Sequence, residues 1–200
     1  MIHAHAQSPT LALAGLRIRR ANAPDLKDIA RLQAAALRGF ARRAHGAEVI
    51  DALIPHIGAF DAELVADGTF FIAEIEGEAV ACGGWSLRRP SFMVGGTRSR
   101  EINLPEIDDD PDVPHLHGVF VHPLFIRHGI GSAILERIDA DLRQQGFARA
   151  RLAATLSGEG FFAERGWRRH GAVFGALEGG LVFVGMGMEK RFASELKLAA

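Results

Sequence analysis

The strongest periodic signal in the chain lies at residues 129–145. Ile130, Ile134, Ile138 and Leu142 recur at the spacing of one helix face, with Leu135 beside them. Glu136, Arg137, Asp141 and Arg143 fall on the side expected to meet water. Gly146 occupies the position where a left-handed residue ends a helix. A strand pattern at 115–121 runs into His122-Pro123 before this helix, and another at 148–155 follows it. Strand, glycine-bearing turn, helix and strand make a crossover unit, and strands joined by a crossover lie parallel.

The flanks follow other periods. Residues 16–20 alternate apolar and charged side chains, as in a short strand. Pro24-Asp25, with Asn22 or Ala23 near the cap, opens a helix whose apolar stripe includes Leu26, Ile29, Leu32 and Leu37. A second helical region spans 48–66 and is interrupted near Pro55 and Gly58. After a turn at Asp67-Gly68, residues 69–75 and 78–85 read as a hairpin across Glu76-Gly77. Residues 161–165 suggest a short helix ended by Gly166, with a final strand pair at 167–174 and 181–188. Residues 88–114 show no sustained period and carry Pro90, Pro105, Pro111 and Pro114 with the acidic run Asp108, Asp109, Asp110 and Asp112. They read as a long surface loop with a short element near 100–104. Crossover and hairpins together predict an α/β (α+β) fold with a mixed sheet.

Composition narrows the function classes. The chain has 200 residues and a formal net charge of -1, so nothing in the overall charge draws it to nucleic acid or an anionic membrane. The arginines between 17 and 43 lie on a helix with an apolar face and read as a solvated surface. No apolar run approaches the ~20 residues of a membrane span, and the first residues lack the basic region of a secretory signal. The single cysteine, Cys82, fits a reducing, cytoplasmic setting. Residues 1–14 are expected to be a flexible arm and 15–200 one domain. The chain contains no tyrosine.

The turn before the central helix carries the chemistry. The first four N–H groups of a helix lack internal partners and bear partial positive charge. Gly129 and Gly131 have no Cβ, so an anion can approach the backbone closely. Each charge-assisted bond contributes ~1.5–3 kcal/mol, and several converge on one pyrophosphate. Arg127 and His128 add positive side chains beside it. By itself this Gly-x-Gly serves equally as a turn that starts a helix. It is not a Walker loop, because no Gly-Lys-Ser/Thr follows, and Ile134 stands where a dinucleotide fingerprint needs its third glycine.

These residues resemble the GNAT superfamily of acetyl-CoA-dependent N-acetyltransferases. Val119-Phe120-Val121-His122-Pro123, followed by Arg127-His128-Gly129-Ile130-Gly131-Ser132-Ala133-Ile134-Leu135, looks like that family's strand-to-helix signature. Phe161-Phe162-Ala163-Glu164-Arg165-Gly166-Trp167 resembles its Phe-Tyr-x-x-x-Gly-Phe segment. The resemblance covers residues 16–192 and implies a mostly antiparallel central sheet with a parallel splayed strand pair and helices on both faces. Three departures stand out. Ile126 replaces a polar residue at the first position of the turn, Thr155 stands where many members carry asparagine, and Phe162 replaces the tyrosine often assigned as general acid.

The resemblance implies acetyl transfer from acetyl-CoA, as co-substrate, to a primary amine of a small molecule or peptide by direct attack in a ternary complex. It places the pantetheine arm along Val119, Phe120 and Val121, where a backbone N–H polarises the thioester carbonyl. The pyrophosphate falls on Arg127, His128, Gly129, Ile130, Gly131 and Ser132, and Thr155, Phe161 and Phe162 border the cofactor. An alkylamine has a pKa of ~10.4 and must lose a proton, whereas a thiol of pKa ~8.5 leaves readily, so losing the tyrosine need not abolish catalysis. His117 is the candidate base, directly or through water, and the alternative is an ordinary strand histidine. Glu74 and Glu159 are lesser candidates. His115-x-His117 with His122 nearby lacks a third ligand at zinc spacing, and His3-x-His5 is weaker, so no metal is expected. Open strand edges make a homodimer an expectation. The missing tyrosine also admits a non-catalytic acyl-CoA-binding sensor or interaction domain.

Overall fold

The computed structural model describes residues 15–88, 93–94, 97–98 and 110–192. The arm at 1–14, the element expected near 100–104, and Asp108 and Asp109 lie outside the described residues. Strand β1 (Arg17–Arg20) leads through a tight turn to helix α1 (Leu26–Ala36). The helix runs on through a wide π turn (Leu37–Ala41) into α2 (Arg42–His45), further than its apolar stripe predicts. Helices α3 (Ala47–Leu53) and α4 (Asp61–Ala66) divide the expected 48–66 region, because Pro55 and the left-handed Gly58 (φ 82°) cannot continue a helix. Strands β2 (Phe70–Ile75) and β3 (Glu78–Ser86) form the expected hairpin, whose turn residues Glu76 and Gly77 both have positive φ.

Two short strands, β4 (Met93–Val94) and β5 (Thr97–Arg98), pair antiparallel inside the region read as a loop. The crossover then follows as β6 (His115–Val121), α5 (Ile130–Gln144) and β7 (Arg149–Thr155). Helix α6 (Glu159–Ala163) begins two residues before the expected start, and β8 (Arg168–Ala176) and β9 (Val182–Arg191) close the chain. Helix α5 ends in a Schellman motif: Gly146 (φ 87°) donates to the Arg143 carbonyl and Phe147 to the Leu142 carbonyl.

The main sheet has the order β1-β2-β3-β6-β7-β9-β8. Every pairing is antiparallel except β6 with β7. Strand β2 shows why both faces carry helices. Phe71 and Ala73 join the cluster built on Ile130, Ile134, Ile138 and Leu142 of α5, while Phe70 and Ile72 join Ile29 and Leu32 of α1. Burial on both faces explains why β2 reads as an unbroken apolar run. Each fully buried isoleucine of α5 contributes ~1.5–3 kcal/mol of transfer free energy. No helix among the described residues is long and apolar enough to cross a membrane.

One side chain on the expected wet face of α5 is buried. Asp141 is 0 % exposed. It accepts from the Trp85 indole N–H at 2.9 Å and from the Arg20 guanidinium at 2.9 Å, tying α5 to β3 and β1. Arg137 on the same face lies 4.4 Å from the centroid of the Phe71 ring. The helix is packed over more of its circumference than its stripe indicates, because the sheet beneath it supplies both a cation and an indole donor. Asp141→Ala should therefore lower unfolding free energy by about 1–3 kcal/mol, because half-exposed Arg20 can turn to water and the main loss is the buried Trp85 N–H left without its acceptor. Urea denaturation measures this, and a loss below ~1 kcal/mol would show that the pair holds nothing together.

Candidate active site

The site begins where two strands part. Strands β6 and β7 share one bridge, His115 with Arg151, beside a hydrogen bond from Arg151 N–H to the Pro114 carbonyl at 2.9 Å. Beyond it β7 keeps its register with β9 through Thr155, and β6 stays with β3. The β3–β6 ladder also shifts register between Cys82 and Gly84, where Cys82 opposes Phe120 and Gly84 opposes His117. Three steps on β6 against two on β3 mark a bulge in β6. Gly118 sits in it at φ 60°, and a Cβ there would come within 3.1 Å of the Gln33 amide and the Phe70 ring. Glycine is required both for the left-handed backbone and for the close packing. The bulge swings β6 away and leaves its β7-facing backbone groups without a ladder partner.

The gap is a cleft of about 1290 Å³. Val119, Phe120 and Val121 form one wall and Leu152 to Thr155 of β7 the other. One end is the start of α5. Gly129 is its N-cap (φ 81°), no side chain caps it, and the first internal bond runs from Ala133 N–H to the Gly129 carbonyl. Gly129, Gly131 and Ser132 border the cleft, so the uncapped first turn opens into it. Arg127 also takes a left-handed backbone, φ 60°, a conformation costing of order 1–3 kcal/mol that is typical of ligand sites. Gly131 has a packing reason as well. A Cβ there would lie 3.2 Å from Phe161 and 3.3 Å from Val121.

Sequence reasoning missed Arg165. Its guanidinium donates to Ser132 Oγ (Nη2 2.7 Å, Nε 3.1 Å) and to the Phe161 carbonyl (2.8 Å), and lies 4.0 Å from the centroid of the Phe161 ring. A cation is thereby fixed against the first turn of α5. The available signal was its place inside the Phe161–Trp167 segment, four residues after Phe161. His128 goes elsewhere: it is not among the residues that border the cleft, and its Nδ1 is buried without a partner among the described residues. The Ile130 side chain is wholly buried in the core, so only its backbone remains available to a ligand. Thr155 Oγ1 accepts from Gly158 N–H at 3.1 Å and shapes the turn into α6 while bordering the cleft. Phe161 and Phe162 also border it, edge to face at 5.1 Å, and Phe162 continues inward onto Trp167.

At the other end, His117 faces the cleft and its Nε2 lies 3.3 Å from the Arg88 carbonyl. A carbonyl only accepts, so Nε2 carries the proton and Nδ1 keeps the lone pair. The surrounding protein pushes the imidazole down to about 4, and its neutral form prevails at pH 7. Neither lesser candidate is among the residues that border the cleft. Glu74 is hydrogen-bonded to Arg19, and Glu159 is paired with Arg169. His122 Nδ1 accepts from Leu124 N–H and caps the turn after β6. No group of three His, Cys, Asp or Glu side chains able to hold a metal occurs among the described residues.

The sequence of residues 34–167 matches the model of the acetyltransferase (GNAT) family, a span that includes both the cleft strands and the first turn of α5. The chain belongs to the GNAT family. Solved structures of the same architecture include a GCN5-related N-acetyltransferase from Rhodopseudomonas palustris (17% identity, 90% of this chain and 97% of that one, TM-score 0.67). Another is the PaiA N-acetyltransferase from Thermoplasma acidophilum in complex with coenzyme A (13% identity, 88% and 99%, TM-score 0.62). A third is a GCN5-related N-acetyltransferase from Ralstonia eutropha JMP134 (23% identity, 78% and 94%, TM-score 0.56). At these identities the likeness is one of fold. No curated protein matches the sequence. GNAT membership makes this chain an acetyltransferase by class, with a mostly antiparallel sheet, one parallel splayed pair and helices on both faces.

Acid titration reports on the cleft histidine of this GNAT fold. His117 binds its proton near 6.5 in the unfolded chain and at about 4 in the folded one. Between those values the unfolded state holds the extra proton, so this contribution to stability is lost as pH falls from 6.5 through 4. Asp61, raised from 3.8 to about 6, acts with the opposite sign as pH falls through 6. A His117→Gln variant should therefore lose less stability than the parent between pH 7 and pH 4.5 in urea denaturation. Equal losses would show that burial does not hold the imidazole down.

Proposed function

We propose that this GNAT protein is an N-acetyltransferase that moves the acetyl group of acetyl-CoA to a primary amine of a small molecule or peptide by direct attack in a ternary complex. The observation that carries the reading is the parted β6–β7 pair leading into an uncapped helix start with Arg165 fixed beside it. A pantetheine arm is a chain of amides, and the unpaired edge of β6 can complete a ladder with it, as added strands do elsewhere. The N–H groups at Gly129, Ile130, Gly131 and Ser132, with Arg127 and Arg165, suit a diphosphate. The cleft exceeds the ~300–1,000 Å³ of common single-ligand pockets, which leaves room for a second substrate. The coenzyme A bound to the Thermoplasma relative supports the same choice.

The chain's own groups have limited tasks in this reaction. A backbone N–H along Val119 to Val121 stabilises charge on the thioester oxygen as the amine attacks. Phe162 donates no proton, so the sulfur leaves as thiolate, at a cost no greater than the ~10²–10⁴ of ordinary acid assistance. His117, neutral and bordering the cleft, can accept a hydrogen bond from the attacking amine. Its low proton affinity makes it a weak base. On this reading residues 15–200 act as one domain in the cytoplasm, without metal, nucleic acid or membrane. The edge strands β1 and β8 are the surfaces on which a homodimer would form.

Three measurements test the proposal. Gly129→Asp should weaken coenzyme A binding at least ~10-fold in calorimetry, because the new carboxylate takes the free N–H groups and repels the anion. Unchanged affinity would remove the pyrophosphate from this turn. His117→Ala should lower turnover while coenzyme A affinity stays within about twofold, in keeping with a role at the amine rather than at the cofactor. A thiol-release assay over a panel of amines separates the enzyme from a sensor. Tight coenzyme A binding with no release above background would establish the non-catalytic alternative that the absence of tyrosine raises.

A further inference from the structure

The described core holds three buried aspartates, and their partners differ. Asp139 receives the Lys190 ammonium at 2.6 Å, and Asp141 receives Arg20 and Trp85. Asp61, the first residue of α4 and 7 % exposed, has no cation among the described residues. Its Oδ2 accepts from Gln33 Nε2 at 2.7 Å. Among the described residues Oδ1 has no hydrogen-bond partner, and Asp61 borders the cleft. One oxygen is thus held by α1, and the other is left without a partner among the described residues on a side chain that lines the cleft. Gly58 makes room for the arrangement: a Cβ there would lie 2.8 Å from Asp61 Oδ2 and 3.0 Å from Gln33 Oε1. A buried carboxylate without a counter-charge is costly. The missing charge is one that a ligand can bring.

The surroundings indicate what kind of ligand. This part of the cleft is walled by Leu37, Leu53, Ile57, Phe60 and Phe120. The arginines of the cleft, Arg127 and Arg165, belong to the α5 end. We propose that Asp61 receives the acceptor amine, pairing with its ammonium group and taking its proton, and that the acceptor is a monoamine carried on an apolar body. The inference rests on the N-acetyltransferase reading of this cleft. The ammonium gives one proton to the Asp61 carboxylate. The freed nitrogen lone pair forms the C–N bond to the thioester carbonyl carbon, and the C–S bond breaks with its electrons going to sulfur. The second N–H proton ends on the thiolate, and Asp61 returns its proton to water. The products are the acetamide and the free thiol.

Burial pushes Asp61 up to about 6, which keeps it ionised at pH 7 and makes it a stronger base than His117. Gln33 from α1 and the Cys82 thiol from β3 interact with it, and His117 from β6 and His56 from the turn after α3 line the same cleft. Burial and the charge of Asp61 raise the thiol, which stays protonated. Glu63 on the same helix is paired with Arg88.

Thiol release is measured with acetyl-CoA and four amines: 2-phenylethylamine, hexylamine, phenylalanine and spermidine. The two apolar monoamines should give kcat/KM at least ~10-fold above the zwitterion and the polycation, the discrimination expected of one desolvated charge pair. Asp61→Asn should lower kcat/KM at least ~100-fold with coenzyme A affinity within about twofold, and should lose the limb near pH 6 that the parent shows. His56→Gln should keep that limb. Parent-like kcat/KM in Asp61→Asn, or loss of the limb in His56→Gln instead, overturns the proposal and leaves acetyl transfer standing. A parent that binds coenzyme A but releases no thiol with any amine overturns the reading beneath it and the proposal with it. A second measurement needs no variant. In the coenzyme A-loaded parent, 2-phenylethylamine should bind ~10-fold more weakly at pH 5 than at pH 7.5, whereas 2-phenylethanol, of similar shape and uncharged, should not change. Equal behaviour of the two also overturns the proposal.

Discussion

The cleft of this protein depends on a strand that loses its neighbour. A sheet interior normally satisfies every backbone N–H and carbonyl, and leaving such groups unpaired is costly. Here the parallel pair β6–β7 holds at a single bridge and then opens, so one edge of β6 runs on without a ladder partner in β7. The surrounding structure enforces that opening. On one side the Gly118 bulge turns β6 against Gln33 and Phe70. On the other, β7 is held in continuous register by β9. Helix α5 spans the two, anchored to the sheet through Asp141, Trp85 and Arg20.

The charges of the cleft are sorted along its length. The α5 end offers uncapped N–H groups with Arg127 and Arg165, a setting for an anion. The far end offers an apolar wall with the Asp61 carboxylate, a setting for a cation on an apolar frame. Substrates of opposite charge at one end each would meet in the middle, beside the bulge of β6. The absence of tyrosine fits this economy, because a thiolate is a good leaving group and the harder proton is the one on the amine.

Small residues and aromatic rings carry much of the local geometry. Gly131 lets α5 approach Phe161 and Val121, and Gly58 lets Asp61 and Gln33 meet. Phe162, where a hydroxyl would have been expected, packs between Phe161 and Trp167 and joins the cleft wall to the core. Arg165 uses the same segment, stacking on Phe161 while it bonds Ser132. The second signature in the sequence is therefore a support for the first turn of α5, and the two are one construction.

The main strands, the crossover, the glycine turn and the family resemblance were legible in the sequence, because each rests on local period, turn chemistry or adjacent residues, whereas the pair β4–β5 lies in a region that reads as a loop. Helix α5 and its Gly146 cap are the plainest cases, since backbone geometry makes them nearly independent of the rest of the chain. The burial of Asp141 was not legible, because it is decided by Arg20 and Trp85, which are distant in sequence. The position of Arg165 against Ser132, the withdrawal of His128 from the cleft, and the low proton affinity of His117 are tertiary for the same reason. So is the setting of Asp61, which no motif or period marks. Only packing reveals that it is buried, bonded to Gln33 and without a cation among the described residues, because charge compensation and desolvation depend on neighbours in space, which local patterns do not specify.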